Sequence, residues 1–272
     1  MTGSTAFAPI EIGRVALTVH DLSRTEAFYT ALLGLARISG DAGSVRLGVG
    51  DRVLLELRQD RGARRASARE AGLFHTAFLM PSRAALGAWL IHAAQSGVPL
   101  QGASDHLVSE AIYLADPEGN GIEVYADRPR SAWHDAQGRI KMATEALDLN
   151  ALARSAAGPW QGAPDGLVVG HVHLQVGDVL QAEAFYRDTL GLPVMAQYPG
   201  AAFYGSGGYH HHLATNIWNS RGAGLRAFPV TGLADLELLA DPAEHAAIVA
   251  RAGRDTLVDP WGTTVTVTRK PA

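Results

Sequence analysis

The chain has 272 residues, 47% hydrophobic and 18% charged, the make-up of a folded protein with a sizeable core. A net charge of −4 with no dense Lys/Arg cluster excludes the electrostatic footprint of a nucleic-acid binder. The absence of cysteine excludes disulfides, thiolate metal sites and a Cys nucleophile, so any metal must be held by His and carboxylate.

In chain order, the opening MTGSTAFAPIEIG lacks the basic start and apolar run of a signal peptide. No later stretch reaches the roughly 18 to 20 apolar residues of a membrane span. The expectation is a cytoplasmic protein without membrane contact. RVALTV, from Arg14, alternates as a half-buried strand does. DLSRTEAFYTALLGL then has helical spacing, with Asp21 where an N-cap is wanted and Gly34 where a C-cap glycine is wanted. Further strands follow to about residue 60. The Arg61–Arg69 stretch, broken by Ala, Gly and Ser, reads as a solvated loop. A second unit runs from LFHTAFLMP through a helix, Ser82 to Ser96, to IYLADPEGNGIEVYAD.

Arg128 to Pro164, rich in polar residues, Ala and Gly, reads as a linker. Beyond it the opening pattern returns. HVHLQV, from His171, precedes DVLQAEAFYRDTLGL, which matches DLSRTEAFYTALLGL position by position, with Asp178 and Gly191 in the capping places. Strands around YHHHLATNIW close the third unit. A fourth runs from a strand near Leu236 through a helix, Pro242 to Gly253, to LVDPWGTTVTVTRK, and its DPWGTTVTV aligns without a gap on DPEGNGIEV. The chain thus holds four βαβββ-like modules, near residues 12–60, 72–127, 168–219 and 226–270. Modules one and two fall in 10–127, the linker in 128–164, and modules three and four in 165–271.

At the first-strand position modules two and three carry His75 and His171, whereas module one has Arg14. At the last-strand position module two has Glu123 and module four Thr266. Two His and one carboxylate on one face of a metal leave adjacent positions open, as non-haem iron requires. His173 shares a strand face with His171 and reads as a supporting pocket residue. Strand alternation puts His210 and His212 on one face and His211 on the other. Phe203, Tyr204 and Trp218 suit an aromatic ligand but equally suit a core.

Four such modules resemble the vicinal oxygen chelate superfamily, also called the glyoxalase, bleomycin-resistance and extradiol dioxygenase family. The resemblance implies an α+β fold of two curved, paired-module sheets cupping a metal or ligand. The stretch Ser104 to Glu123 is similar to the extradiol dioxygenase signature, with His106, Ile112, Tyr113, Asp116, Pro117, Gly119 and Glu123 in its places and Ser104 departing from it. GLFH, YADRPR, GHVHL and GGYHHH resemble the bacterial catechol-2,3-dioxygenases. Ligands in that superfamily lie on the first and last strands of a module. The resemblance therefore implies a site in modules two and three, paired across the linker with one left to pair with four. It implies Fe(II), or Mn(II), on His75, His171 and Glu123, cleaving a catechol-type diol with O2. It makes His212 the acid–base catalyst and has Tyr113 and His106 orient the diol, while strand position and ring character offer His173, His210 and Trp218 as pocket residues. A glyoxalase-like isomerase or lyase would want a second carboxylate that module three lacks. A bleomycin-resistance-type binding protein needs no complete ligand set. No nucleic-acid or membrane partner is expected, and oligomeric state, a homo-oligomer included, is left open.

Overall fold

The structure, a computed structural model, describes residues 4–270. Strand β1 (Ile10–Val19), helix α1 (Leu22–Leu33) and strands β2 (Ala36–Gly40), β3 (Ser44–Val49) and β4 (Arg52–Gln59) form the first module. The second comprises β5 (Gly72–Leu79), α2 (Arg83–Gln95), β6 (Gly102–Asp105), β7 (Ser109–Ala115) and β8 (Gly121–Asp127). The connecting stretch contributes β9 (Glu145–Ala146) and α3 (Leu149–Arg154). The third module has β10 (Val168–Gln175), α4 (Val179–Glu183) continued by a π-helical segment (Ala184–Thr189), β11 (Val194–Tyr198), β12 (Ala201–Tyr204) and β13 (Leu213–Asn216). The fourth has β14 (Gly232–Ala240), α5 (Pro242–Ala252), β15 (Thr256–Val258) and β16 (Thr264–Arg269), one strand fewer than its expected pattern. Among the described residues no helix is long and apolar enough to cross a membrane.

The helices begin and end where side-chain chemistry allows. Asp21, Ser82 and Asp178 each accept a hydrogen bond from a backbone N–H three residues on, satisfying a donor the helix cannot. Gly34 and Gly253 take the left-handed conformation that ends α1 and α5.

The strands assemble into two sheets. One has nine strands in the order β11-β12-β13-β10-β5-β8-β7-β6-β9, the other seven in the order β15-β16-β14-β1-β4-β3-β2. The second and third modules thus share one sheet and the first and fourth share the other. A continuous core draws on both, with Leu17 and Leu236 from one sheet and Phe78 and Val172 from the other.

The repeated AFY and DP segments lock neighbouring modules together. Asp116 accepts from the backbone N–H groups of Glu118 and Asn120, closing the turn before β8, and from the Tyr29 hydroxyl of α1 at 3.2 Å. Asp259 does the same with Trp261, Thr263 and the Tyr186 hydroxyl at 2.9 Å. Both carboxylates are buried, so each needs its donors. Replacing Tyr29 or Tyr186 by Phe removes one donor and is expected to cost about 1–3 kcal/mol each. Urea unfolding should show a lower midpoint with an unchanged slope, and an unmoved midpoint would contradict the assigned role.

Candidate metal centre

Cross-strand register builds the site. Ala77 on β5 pairs with His171 on β10 on one side and with Glu123 on β8 on the other. Residues paired across a sheet share a face, as do residues two apart on one strand. His75, His171, His173 and Glu123 therefore all project from one face, as does Tyr113, the partner of Glu123 on β7. Thr76, Val124 and Val172 point the other way. The register of β5 against β10 shifts between Val169 and His171. Gly170 lies in that shift, and a Cβ there would sit 1.9 Å from the Tyr125 hydroxyl oxygen. Only glycine admits this close approach.

His75 Nε2 and His171 Nε2 lie 3.0 and 3.3 Å from the same Glu123 oxygen, Oε2. Ligand atoms of all three residues fall within 4.8 Å of one another. His75 Nε2 is buried with no aligned hydrogen-bond partner, as a nitrogen aimed at a shared cation would be. Burial, ahead of the attraction of Glu123, lowers the His171 pKa to about 4. Burial pushes Glu123 up, but His171 and His75 outweigh it and hold the carboxyl well below its usual range. At neutral pH His171 is thus a neutral imidazole and Glu123 an anion, the states in which they bind a divalent cation. His173 stands apart from this set, its Nε2 accepting from Asn216 Nδ2 at 3.0 Å.

The three consecutive histidines divide as alternation predicts, His211 apart from His210 and His212, but it is His211 and not His212 that meets the cavity. β13 begins only at Leu213, and the stretch before it turns through Gly207 and Gly208 at positive φ. The phase of β13 does not run back through such a turn. His211 is the residue that lines the cavity, its ring 4.1 Å from that of His171. His212, expected to be the acid–base group, is wholly buried elsewhere. Its Nδ1 accepts from Ser206 N–H, so its Nε2–H donates to the Ala6 carbonyl, and no nitrogen is left for chemistry. His210 does not line the cavity either. Its Nε2–H donates to Asp127 at 2.9 Å, so its Nδ1 is an acceptor, 2.8 Å from His211 Nδ1. A neutral His210 requires His211 to carry its proton on Nδ1, which leaves the Nε2 lone pair free.

His106 and Tyr113 are joined by a 2.6 Å hydrogen bond. His106 Nδ1 donates to the Ala143 carbonyl at 2.6 Å, so Nε2 accepts from the Tyr113 hydroxyl. That bond exposes the role of the stretch read as a linker. Trp133 is fully buried, β9 pairs with β6, and Met142, Ala143 and Thr144 form one wall of the cavity. Its polar, Ala-rich composition gives no sign of this. The cavity measures about 390 Å³ and takes Phe74, Phe203, Tyr198 and Trp218 as further walls. Tyr204 pairs with Leu213 on β13 and lies on the other face, its hydroxyl on Thr215.

In the seven-stranded sheet Ala16 pairs with Glu56 on one side and Asp235 on the other, as Ala77 does with Glu123 and His171. Arg14, two residues before Ala16, corresponds to His75. Its guanidinium lies 2.9 Å from Glu56 and 3.0 Å from Asp235. A fixed cation of the protein occupies the position where a metal would sit.

The glyoxalase/bleomycin resistance protein/dioxygenase superfamily model matches residues 11–124 and 168–256. The chain belongs to this superfamily. A Bacillus subtilis (strain 168) protein named catechol-2,3-dioxygenase is 39% identical over 251 residues, spanning 86% of this chain and 88% of that protein. Solved structures extend the likeness in fold. A dioxygenase candidate from Bacillus subtilis subsp. subtilis str. 168 has TM-score 0.64 at 12% identity, covering 100% of this chain and 87% of that one. Glyoxalase I from Zea mays has TM-score 0.58 at 16% identity, covering 95% and 92%.

The buried histidines make acid stability a test of this geometry. Burial lowers His171 to about 4 and His212 to about 3, against about 6.5 in an unfolded chain. The unfolded chain therefore binds more protons below pH 6.5, and stability falls as pH drops from there towards the folded values. At pH 5 each such histidine is expected to cost roughly 2 kcal/mol. For metal-free protein, the loss of unfolding free energy between pH 7.5 and 5 should shrink by about that amount in His212→Gln. An unchanged loss in the variant would contradict the burial of a neutral His212.

Proposed function

We propose that this protein is an extradiol ring-cleaving dioxygenase that opens a catechol-type diol with O2 at an Fe(II) site formed by His75, His171 and Glu123. The observation that carries the reading is a two-histidine, one-carboxylate set opening onto an aromatic-walled cavity that His211 also enters. The relative named catechol-2,3-dioxygenase supports the same chemistry. The donor set suits Fe(II) and also Mn(II). The cluster contains a single carboxylate among the described residues, which counts against a glyoxalase-like four-ligand arrangement.

Iron bound there would acidify the diol and provide an electron path between it and dioxygen. The protein's own groups supply the rest. His211 Nε2, unprotonated and facing the cavity, takes a proton from a diol hydroxyl and returns it as the oxygen–oxygen bond breaks. This role passes to His211 from His212, whose nitrogens are both engaged. Burial, ahead of the nearby Glu123, raises the Tyr113 pKa well above its usual value and keeps it a phenol. With its proton committed to His106, its oxygen can accept from the diol and orient it. The apolar walls exclude water. Both atoms of O2 enter the product, and the ring opens beside the diol.

Oxygen uptake by anaerobically iron-loaded protein on a panel of catechols, with a yellow ring-opened product, tests the reading. His211→Phe should keep its iron and lose about 10²–10⁴-fold in turnover. His212→Gln, measured where it is folded, should retain most of the activity. No oxygen uptake by the wild type, or near-normal turnover by His211→Phe, would overturn the proposal.

A further inference from the structure

Residues 4–9, which lead into β1 of the seven-stranded sheet, lie against the turn of the nine-stranded sheet that carries the histidine triplet. Ala6 is buried in an apolar cluster with Trp133 and Tyr209, and its carbonyl accepts from His212 Nε2–H at 2.8 Å. The Thr5 hydroxyl donates to one oxygen of Asp127, the carboxylate whose other oxygen accepts from His210 Nε2–H. Arg130 bridges the two segments, donating to the Thr5 carbonyl at 2.7 Å and to the Gly207 carbonyl at 3.0 Å. The Ile10 N–H donates to Ser206 Oγ at 3.0 Å. A Cβ on Gly207 would come within 2.9 Å of Pro9, so the segment seats directly on the turn. Its other end is anchored beside the fourth module, where the Asp241 N–H donates to the Pro9 carbonyl at 2.7 Å and Lys270 donates to the Ala8 carbonyl.

Two successive glycines at positive φ, Gly207 and Gly208, make the turn costly to order, so it needs outside partners to stay fixed. The buried His212 likewise needs an acceptor for its Nε2–H, and Ala6 supplies it. We propose that residues 4–9 are a positioning element of the metal-centre cavity. They form a strap with which the half of the molecule that lacks a ligand set holds His211 of the other half in place. For its effect on turnover the inference rests on the diol-cleaving reading above. None of the strap residues lines the cavity, so they act through the turn. Strand register fixes the ligand set instead, so iron binding does not depend on the strap.

Arg130→Ala and Ala6→Asp each loosen the strap, the first at an exposed bridge and the second by forcing a charge out of an apolar cluster. In metal-free protein, hydrogen exchange at the Ser206, Tyr209 and His212 amides should quicken about tenfold or more, while the amides of β5 and β10 keep their rates. Iron-loaded variants should keep the wild-type iron content and KM and lose about tenfold to a hundredfold in kcat, the scale of a misplaced reacting group. Unchanged exchange in both variants overturns the proposal, whatever the activity. Faster exchange with normal kcat, or iron lost along with kcat, overturns the positioning role and leaves the diol-cleaving reading standing. No turnover by the wild type overturns that reading alone, and the exchange comparison still decides whether the strap holds the turn.

Discussion

The pairing of β5 with β10 joins strands from opposite halves of the chain, in a register that places Ala77 between His171 and Glu123. Because side chains alternate along a strand, a slip of one residue would turn His171 and His173 away from the cavity and carry Val172 into it. Gly170 helps to hold that register, since the shift beside it lets the Tyr125 hydroxyl approach the backbone. Tyr125 in turn bonds to Tyr209, on the turn that delivers the histidine triplet. The ligand set and the turn above it are thus tied to one strand pairing.

Around this set, hydrogen bonds decide which nitrogen bears each proton. Asp127 fixes His210, which fixes His211 with its Nε2 free. Ala143 fixes His106, which takes the Tyr113 proton. Each chain begins at an acceptor-only group and ends at an atom facing the cavity. In the other sheet the equivalent positions hold Arg14, Glu56 and Asp235, and Arg58 pairs with the same two carboxylates to complete the charge balance. One scaffold therefore carries one open centre and one closed by its own ion pairs.

The modules and their helix caps were legible in the sequence, because periodicity and paired Asp and Gly positions record local structure directly. His75, His171 and Glu123 were singled out because the resemblance points to the first and last strands of a module, and the structure brings the three together. His211 was passed over because the resemblance set His212 at the acid–base position, and only Gly207 and Gly208 announce the turn that breaks the phase of β13 before the triplet. The cavity wall at Met142–Thr144 left no sign in composition, since its place depends on contacts with His106 and Tyr198 far along the chain. The Tyr29–Asp116 and Tyr186–Asp259 locks were present as repeated motifs, but repetition alone does not say which motif touches which.

The central claim is that residues from two halves of the chain close on a single cation. Crystals grown anaerobically with Fe(II) and measured on both sides of the iron absorption edge test it most directly. The account predicts one anomalous peak per chain, within bonding distance of His75 Nε2, His171 Nε2 and a Glu123 carboxylate oxygen, and none at Arg14. Iron bound elsewhere, or no peak between the two histidines, would contradict it.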